Sequence, residues 1–144
     1  MAMSESTRTN SNKSVLKLRC APLEKVRIGF IGIGARGLRA VERMMNIEEI
    51  VAVCDFIDTN INSACAIVEK YGGSKPLTLL GEESWKELCE RADIDLIYIG
   101  TDWVSHANIA VYALEQSKHV ALEVPAAMSV ADCWRLVDAA EKAQ

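Results

Sequence analysis

The residues most suited to chemistry in this sequence are three glycines spaced as G-x-G-x-x-G: Gly32, Gly34 and Gly37. They follow an apolar run and precede a segment of helical periodicity, which is the strand–turn–helix context of a dinucleotide-binding turn. In such a turn the first glycine permits the tight bend, the second lets a pyrophosphate approach the backbone, and the third lets the helix pack closely on the strand. The helix N-terminus then offers N–H groups to the phosphates. A tight turn without a ligand is the alternative interpretation.

Asp55 ends the second apolar run, 18 residues after Gly37. An acidic side chain at this position accepts hydrogen bonds from the adenosine ribose hydroxyls. It would repel a 2′-phosphate, so we expect NAD rather than NADP. Asp58 is the nearby competitor, but its place before Ile61 suits a helix N-cap. Arg36, inside the glycine turn, either meets a phosphate or lies in solvent.

Short apolar runs alternate with helical segments from Lys25 onward, which is the pattern of β-α-β units and a parallel sheet. Five runs are predicted as strands: Val26–Ile31, Ile50–Cys54, Leu77–Leu80, Leu96–Ile99 and Val120–Leu122. Most are apolar throughout, as expected for strands that helices cover on both faces. We therefore expect an α/β fold with a Rossmann-type doubly wound parallel sheet, truncated after about five strands.

Between the strands, apolar residues recur at helical spacing. The positions predicted to face inward are Leu38, Val41 and Met45, then Ile61, Ala64, Cys65 and Val68, then Trp85, Leu88 and Cys89, then Val104, Ala107, Val111 and Leu114, and finally Cys133, Leu136, Val137 and Ala140. Ser129 and Asp132 resemble a capping box and predict the start of the last helix.

Ligands of open parallel sheets bind beyond the carboxyl ends of the strands. Residues 100–106, which include Thr101, Trp103 and His106, follow the fourth strand, and residues 123–125 follow the fifth. These segments should converge with the glycine turn and Asp55 on one crevice. Packing is the alternative for the Trp–His pair, and adjacent Ser and His on a helix do not form a nucleophilic pair. The other histidine, His119, precedes the fifth strand at the opposite edge, where a surface or capping role is expected.

Composition narrows the class of protein. The chain has 144 residues, half of them apolar and 25% charged, which is typical of one globular domain. A net charge of −4 without charge runs disfavours nucleic-acid and anionic-membrane partners. With no apolar stretch of 18 residues and no signal segment, we expect a cytoplasmic protein without a membrane span and leave export of a longer precursor open.

Neither the cysteines nor the N-terminal segment is predicted to contribute to a functional site. Five cysteines without C-x-x-C or histidine at ligand spacing predict neither a metal site nor a disulfide framework. They are expected to be small buried hydrophobes in a reducing compartment. Residues 1–24 are predicted to be a flexible tail, and residues 25–144 one domain.

GFIGIGARG, Asp55, Thr101-x-Trp103-x-x-His106 and SKHVALEVP together resemble the N-terminal domain of the Gfo/Idh/MocA oxidoreductase family, over essentially all of residues 25–144. Most members carry Glu-Lys-Pro after the fifth strand, where this chain has Glu123-Val124-Pro125. The sequence EVPAA, with Trp103-Val104-Ser105-His106 and the segment from Cys133, resembles family 109 of the glycoside hydrolases.

This resemblance implies a hydrolysis that uses tightly held NAD without net consumption. In this reaction the sugar 3-hydroxyl is oxidised, the C1 substituent is eliminated, water adds, and the ketone is reduced back. The paired carboxylates of ordinary glycosidases are therefore not the residues to look for. By position the resemblance implies contacts to NAD from Gly32, Gly34, Ala35, Arg36, Gly37, Asp55, Thr101, Trp103, His106, Glu123 and Val124. Adenosine-side contacts would come from Asp55 and nicotinamide-side contacts from the later segments.

Two substitutions depart from the family pattern: Asp102 stands where Pro is usual, and Ser117 where Gly is usual. The resemblance also implies a second, sheet-containing domain that supplies substrate contacts and the catalytic Tyr and His residues, so no catalytic residue is expected in this chain. The substrate of the whole enzyme would be a sugar or glycoside. Two alternative functions stay open: an ordinary NAD-dependent sugar or polyol dehydrogenase and a non-catalytic nucleotide-binding module. A homo-oligomeric state also stays open.

Overall fold

The computed structural model describes residues 19–143, and ten elements alternate along this part of the chain. They are β1 (Arg27–Ile31), α1 (Ala35–Met44), β2 (Glu49–Asp55), α2 (Asp58–Lys70), β3 (Leu77–Leu80), α3 (Trp85–Glu90), β4 (Leu96–Ile99), α4 (His106–Glu115), β5 (His119–Leu122) and α5 (Val130–Lys142). The predicted tail falls mainly on residues 1–18, outside the described residues, and residues 19–23 have no regular structure.

The five strands form one parallel sheet in the order β3-β2-β1-β4-β5. The chain runs outward from β1 to β3 and then returns to the other side of β1 for β4 and β5. This order confirms the doubly wound α/β fold, and it places the topological switch point between β1 and β4, where ligands bind in such sheets.

Side chains of each strand alternate between two apolar layers, because successive residues of a strand point to opposite faces. Ile28 and Phe30 pack with α1 and α2, around Val41 and Val68, in one layer. Ile31 lies in the other layer, and residues that share it come from α3 and α4: Leu88, Cys89, Ile109, Ala110 and Ala113. Burying both faces of β1 fixes the turn that follows it between two helical layers.

Several predicted inward positions are wrong. Cys20 and Cys133 are exposed, so only Cys54 and Cys89 behave as fully buried hydrophobes, with burial raising the pKa of each thiol to about 12. Val104 is 75% exposed and precedes α4; the buried face of α4 includes Ala107, as predicted, and also Ile109, Ala110 and Ala113, which were not predicted. This helix is apolar on more than one face, so its spacing alone does not identify the buried side.

Helix termini show both agreement and correction. Ser129 caps α5 as predicted, since its Oγ accepts from the Asp132 N–H at 3.1 Å. Asp58 is the first residue of α2, and the N-cap is Ile57. The end of α4 explains the unusual Ser117, which adopts φ 59° at the position after the C-cap. Its N–H donates to the Leu114 carbonyl at 3.0 Å and the next N–H to that of Ala113 at 3.0 Å, the two bonds of a Schellman motif.

Candidate functional site

The glycine turn joins β1 to α1 with the geometry that its three glycines suggest. Gly32 has φ +80° and donates its N–H to the Cys54 carbonyl at 2.9 Å. A Cβ at Gly37 would lie 2.3 Å from the Gly32 carbonyl oxygen, so only glycine lets the helix approach the turn this closely. Around Gly34, by contrast, nothing lies within 4 Å of a Cβ position. The turn therefore leaves open space at Gly34, the glycine whose backbone is expected to meet the pyrophosphate.

The first turn of α1 also leaves hydrogen-bond donors for a ligand. Helix N-termini carry N–H groups without intrahelical acceptors. Gly34, the N-cap, supplies no side-chain acceptor, and the first turn contains no acidic residue. Ala35 and Arg36 are exposed on this turn. Donors and dipole together suit an anion at Gly34.

Asp55 links three segments at the end of β2 and is only 6% exposed. Its Oδ2 accepts the Ile33 N–H at 2.7 Å and the Asn60 Nδ2 at 3.2 Å, and its Oδ1 accepts the Ile57 N–H at 2.9 Å. A carboxylate has about four lone-pair sites. One site on Oδ1 thus stays available for a further donor such as a ribose hydroxyl.

A crevice of about 760 Å³ opens at the carboxyl edge of the sheet, within the size range of ligand sites. We call it the carboxyl-edge crevice. Its lining consists of the last residues of β1 and β2 and of residues that follow β1 to β4: Ile31, Gly32, Gly34, Cys54, Asp55, Phe56, Ile57, Asn60, Gly81, Glu82, Glu83, Trp85, Gly100, Thr101, Asp102, Ser105, Asn108 and Ile109. Four predicted site residues, Gly32, Gly34, Asp55 and Thr101, therefore share one cavity.

A second cluster lies beside the turn, around Glu123 at the end of β5. The Tyr98 hydroxyl donates to Glu123 Oε1 at 2.5 Å, and Arg36 approaches Oε2 at 3.9 Å. The hydrogen bond from Tyr98 lowers the pKa of Glu123, while burial and this carboxylate raise the pKa of Tyr98 to about 12. Glu123 is thus held as an anion and acts as a hydrogen-bond acceptor.

The loop after β4 separates residues that the sequence groups together. Trp103 is 59% exposed, whereas His106 is 1% exposed. Asp102 Oδ1 accepts the Ser105 N–H at 2.9 Å, and hydrogen bonding from Ser105 lowers the pKa of Asp102. This bond gives the loop a turn of its own where proline is usual.

Apart from Ala35 and Gly37, which lie in the first turn of α1, and the buried His106, the predicted residues fall into three groups. The first lines the crevice, the second comprises Arg36 with Glu123, and the third comprises Trp103 and Val124, which are 59% and 72% exposed and line no part of the crevice. His106 is buried, and both of its ring nitrogens face backbone carbonyls. Contacts of these residues with a cofactor stay predictions.

Sequence reasoning missed Phe56, Asn60, Tyr98 and the pair Glu82 and Glu83. Phe56 is 69% exposed directly after Asp55 and lines the crevice, but a single apolar residue after a strand gives no signal in the sequence. Tyr98 has a signal in hindsight, because it is the one residue with a polar tip in an apolar strand, and a buried tyrosine hydroxyl needs a partner. The others offer no local signal.

Taken together, the residues present fit a dinucleotide. Gly34 leaves the space that a pyrophosphate needs, the N-terminus of α1 supplies donors, and Asp55 keeps an acceptor site. Apolar side chains of the crevice, including Phe56 and Ile57, are suited to a flat ring.

Comparisons with known proteins agree with this geometry. Residues 26–144 match the family model of the Gfo/Idh/MocA oxidoreductases, described as an oxidoreductase family with an NAD-binding Rossmann fold. The chain is 53% identical over 131 residues to glycosyl hydrolase family 109 protein 2 of Phocaeicola vulgatus, covering 90% of this chain and 32% of that protein. It is 47% identical over 137 residues to the alpha-N-acetylgalactosaminidase of Bacteroides fragilis, covering 94% and 32%. The chain spans about a third of the length of these relatives.

Solved structures show the same fold. The myo-inositol dehydrogenase of Lactobacillus casei, solved with NAD(H) and myo-inositol, aligns with a TM-score of 0.66 and 28% identity, over 80% of this chain and 33% of that one. The biliverdin reductase of Synechocystis, solved with biliverdin and NADP+, aligns with a TM-score of 0.68 and 28% identity, over 82% and 35%. Within residues 19–143, no helix is long and apolar enough to cross a membrane. From its family match and its sheet order, the chain belongs to the Gfo/Idh/MocA oxidoreductase family and corresponds to its NAD-binding Rossmann domain.

Proposed function

We propose that this chain binds NAD(H) in the carboxyl-edge crevice and is the cofactor domain of a glycosidase that uses NAD without net consumption. The observation that carries the binding proposal is the open space at Gly34, which lies beside the uncapped N-terminus of α1. In a single turn it combines room, donors and a positive dipole end for a pyrophosphate.

Selectivity for NAD over NADP follows from the charges at the adenosine end. Asp55 would accept a ribose hydroxyl through its remaining Oδ1 lone pair. Glu82 and Glu83 follow β3 and line the same crevice. Asp55 and Glu82, with Glu83 paired to Lys86 beside them, make this end negative and so disfavour the added charge of a 2′-phosphate.

The glycosidase part rests on the relatives that carry family 109 names and on one residue of this chain. Bound NAD would supply reversible hydride transfer at a sugar hydroxyl carbon, which acidifies the neighbouring C–H and permits elimination at C1. Val124 occupies the position after Glu123 and cannot move a proton. The hydrogen bond from Tyr98 keeps Glu123 ionised. Glu123 would then accept a hydrogen bond from the substrate or the cofactor and so orient it.

An ordinary sugar or polyol dehydrogenase is the second candidate. The observation that favours it is structural similarity to a myo-inositol dehydrogenase. Both candidates must remove a proton from the hydroxyl that is oxidised, but the usual family pattern provides lysine for this at position 124, and Val124 cannot serve.

Titration of the chain with NADH tests the binding proposal. Trp85 lines the crevice and Trp103 lies exposed on the loop after β4, so intrinsic fluorescence should change on binding. We expect calorimetric heat with NADH and weaker binding of NADPH. An unchanged spectrum together with no heat would contradict the proposal.

Asp55→Ala provides the matched variant. A hydrogen bond to a charged group contributes about 1.5–3 kcal/mol, so NADH affinity should fall by more than about tenfold. Asp58→Ala is the control, because Asp58 is exposed at the start of α2, is not part of the crevice lining, and accepts from the Asn62 side chain at 2.7 Å. If Asp55→Ala binds NADH as tightly as the parent, the ribose role of Asp55 is wrong.

The two enzyme candidates predict different assay results, which can be measured on a longer polypeptide of the relatives' length. Release of p-nitrophenol from an α-N-acetylgalactosaminide with no change in NADH absorbance supports the glycosidase. Stoichiometric NADH production from a free sugar or polyol supports the dehydrogenase. NAD binding with neither activity supports a non-catalytic module.

A further inference from the structure

His106, the first residue of α4, is the most buried polar side chain near the carboxyl-edge crevice, at 1% exposed. Its Nδ1 lies 2.9 Å from the Pro125 carbonyl oxygen, and its Nε2 lies 3.2 Å from that of Thr101. The ring therefore bridges the loop after β4 and the loop after β5.

Both neighbours of the ring are acceptors, which restricts what the ring can do. A neutral imidazole has one N–H and donates to one carbonyl, and an imidazolium donates to both. In either state the ring nitrogens are directed at the backbone of Thr101 and Pro125. Neither nitrogen faces the crevice, and His106 is absent from its lining.

The two loops that the ring joins carry the segments expected on the nicotinamide side. Thr101 lines the crevice and packs against the glycine turn, since its N would lie 2.5 Å from a Cβ at Gly32. Pro125 directly follows Glu123 and Val124. The bridge therefore sets the spacing between a crevice wall at Thr101 and the Glu123 cluster.

The adenosine side is built without this bridge. Asp55 is fixed by the Ile33 N–H of the glycine turn, by the Ile57 N–H at the N-cap of α2 and by the Asn60 side chain of α2, all on the β1–β2 side of the switch point. Loss of the His106 bridge should leave this end of the crevice unchanged.

We propose that His106 is a positioning residue: it holds the loops after β4 and β5 at a fixed spacing and thereby sets the affinity for the nicotinamide half of NAD, without touching the cofactor. The proposal rests on the proposed function. It replaces the direct contact that sequence resemblance implies with an indirect role through Thr101 and Pro125.

The test compares NADH with ADP, which lacks the nicotinamide half, on the chain and on His106→Phe. Phenylalanine keeps a ring and removes both hydrogen bonds. We expect NADH affinity to fall about tenfold, the loss of roughly one hydrogen bond, while ADP affinity stays within about twofold of the parent. His106→Gln restores one donor and should recover part of the loss.

His119→Phe is the matched control, because His119 is the only other histidine of the sequence and is exposed at the start of β5. It should bind both ligands as the parent does. It also leaves His106 as the sole imidazole for nitrogen-15 NMR, where a slowly exchanging ring N–H is expected before and after NADH is added. This measurement is independent of whether His106→Phe folds.

Three results would overturn the proposal. Equal losses of NADH and ADP affinity would reduce His106 to a general structural role, and unchanged NADH affinity would remove any role in binding. Direct nuclear Overhauser contacts between the His106 ring and bound NADH would restore the direct contact. If the parent chain binds neither ligand, it is the proposed function that fails, and this proposal with it.

Discussion

Gly34 and Gly37 stand three residues apart in the same turn, yet a methyl group would meet different surroundings at the two positions. At Gly34 the space is open, and its φ of −67° is accessible to alanine. Gly34→Ala should therefore keep the stability of the parent while it weakens NADH binding by more than about tenfold, because the methyl group stands where the pyrophosphate contacts the backbone. Urea unfolding and NADH titration measure the two effects.

Gly37→Ala should instead damage the fold. Its Cβ would lie 2.3 Å from the Gly32 carbonyl oxygen, which belongs to backbone and cannot rotate away. Overpacking of this kind costs about 1–3 kcal/mol in the free energy of unfolding. The pair thus separates a binding glycine from a packing glycine, and equal effects of the two substitutions on stability would contradict this distinction.

Residues of the glycine turn could be predicted because their roles depend on neighbours in sequence, and Asp55 could be predicted because it follows a recognisable strand. His106 could not be placed in this way. Its surroundings depend on Pro125, which is 19 residues away and reaches it only through the pairing of β4 with β5. Asp102 is intermediate, because its bond to the Ser105 N–H is local but competes with other turns.

Ser117 follows the C-cap of α4 in the left-handed region, where a side chain costs roughly 1 kcal/mol relative to glycine. Ser117→Gly should therefore raise the free energy of unfolding by about 0.5–1 kcal/mol, with the Schellman hydrogen bonds kept. Ser74→Gly is the control. Among the described non-glycine residues only Ser117 has a positive φ, so glycine at position 74 should be neutral or slightly destabilising. A stability gain of equal size in both variants would argue against relief of strain at Ser117.

Strands β1 and β4 begin at a shared ion pair. Asp95 accepts from the Arg27 guanidinium at 2.7 and 2.9 Å and from its backbone N–H at 3.0 Å, and these bonds lower the pKa of Asp95 to about 2. The folded-state pKa lies below the ordinary value of 3.8, so ionised Asp95 stabilises the fold above that value. The contribution is lost as the pH falls from about 3.8 towards about 2.

Asp95→Asn should accordingly lower the urea midpoint at about pH 6, with a gap to the parent that narrows at about pH 2.5. Asp93→Asn is the matched control. Its pKa is also lowered, by a hydrogen bond from Arg91, but this pair joins neighbours in sequence and ties no strands together. The interpretation fails if the Asp95→Asn gap is the same at both pH values.

Among the secondary-structure elements, apolar periodicity predicted which segments are helices better than it predicted which face of each helix is buried. Ile61, Ala64 and Val68 of α2 lie against the sheet as predicted. In α5 the same type of pattern predicted Cys133 inward, and it is exposed. Periodicity reports which face of a helix is apolar, but the neighbour that covers this face is a property of the tertiary structure.

At the scale of the described molecule, residues 19–143, several exposed apolar side chains lie in two segments that follow β4 and β5. We define the apolar edge as Trp103, Val104, Val124, Met128 and Val130, which are 59%, 75%, 72%, 60% and 75% exposed. Strand β5 lies beside it and, in the part of the chain that the structure describes, has a neighbour on one side only. Open strand edges and clustered apolar side chains both favour association.

The chain by itself should therefore self-associate as its concentration rises, through the apolar edge. Val130→Glu is the test, since Val130 is the first residue of α5, where a negative charge also favours the helix. Sedimentation velocity should show less association than in the parent, with an unchanged unfolding midpoint or a slightly higher one. Ile47→Glu is the control, because Ile47 is 66% exposed but lies between α1 and β2, at the opposite end of the strands. If both substitutions reduce association equally, net charge is the cause, and the apolar edge has no special part in it.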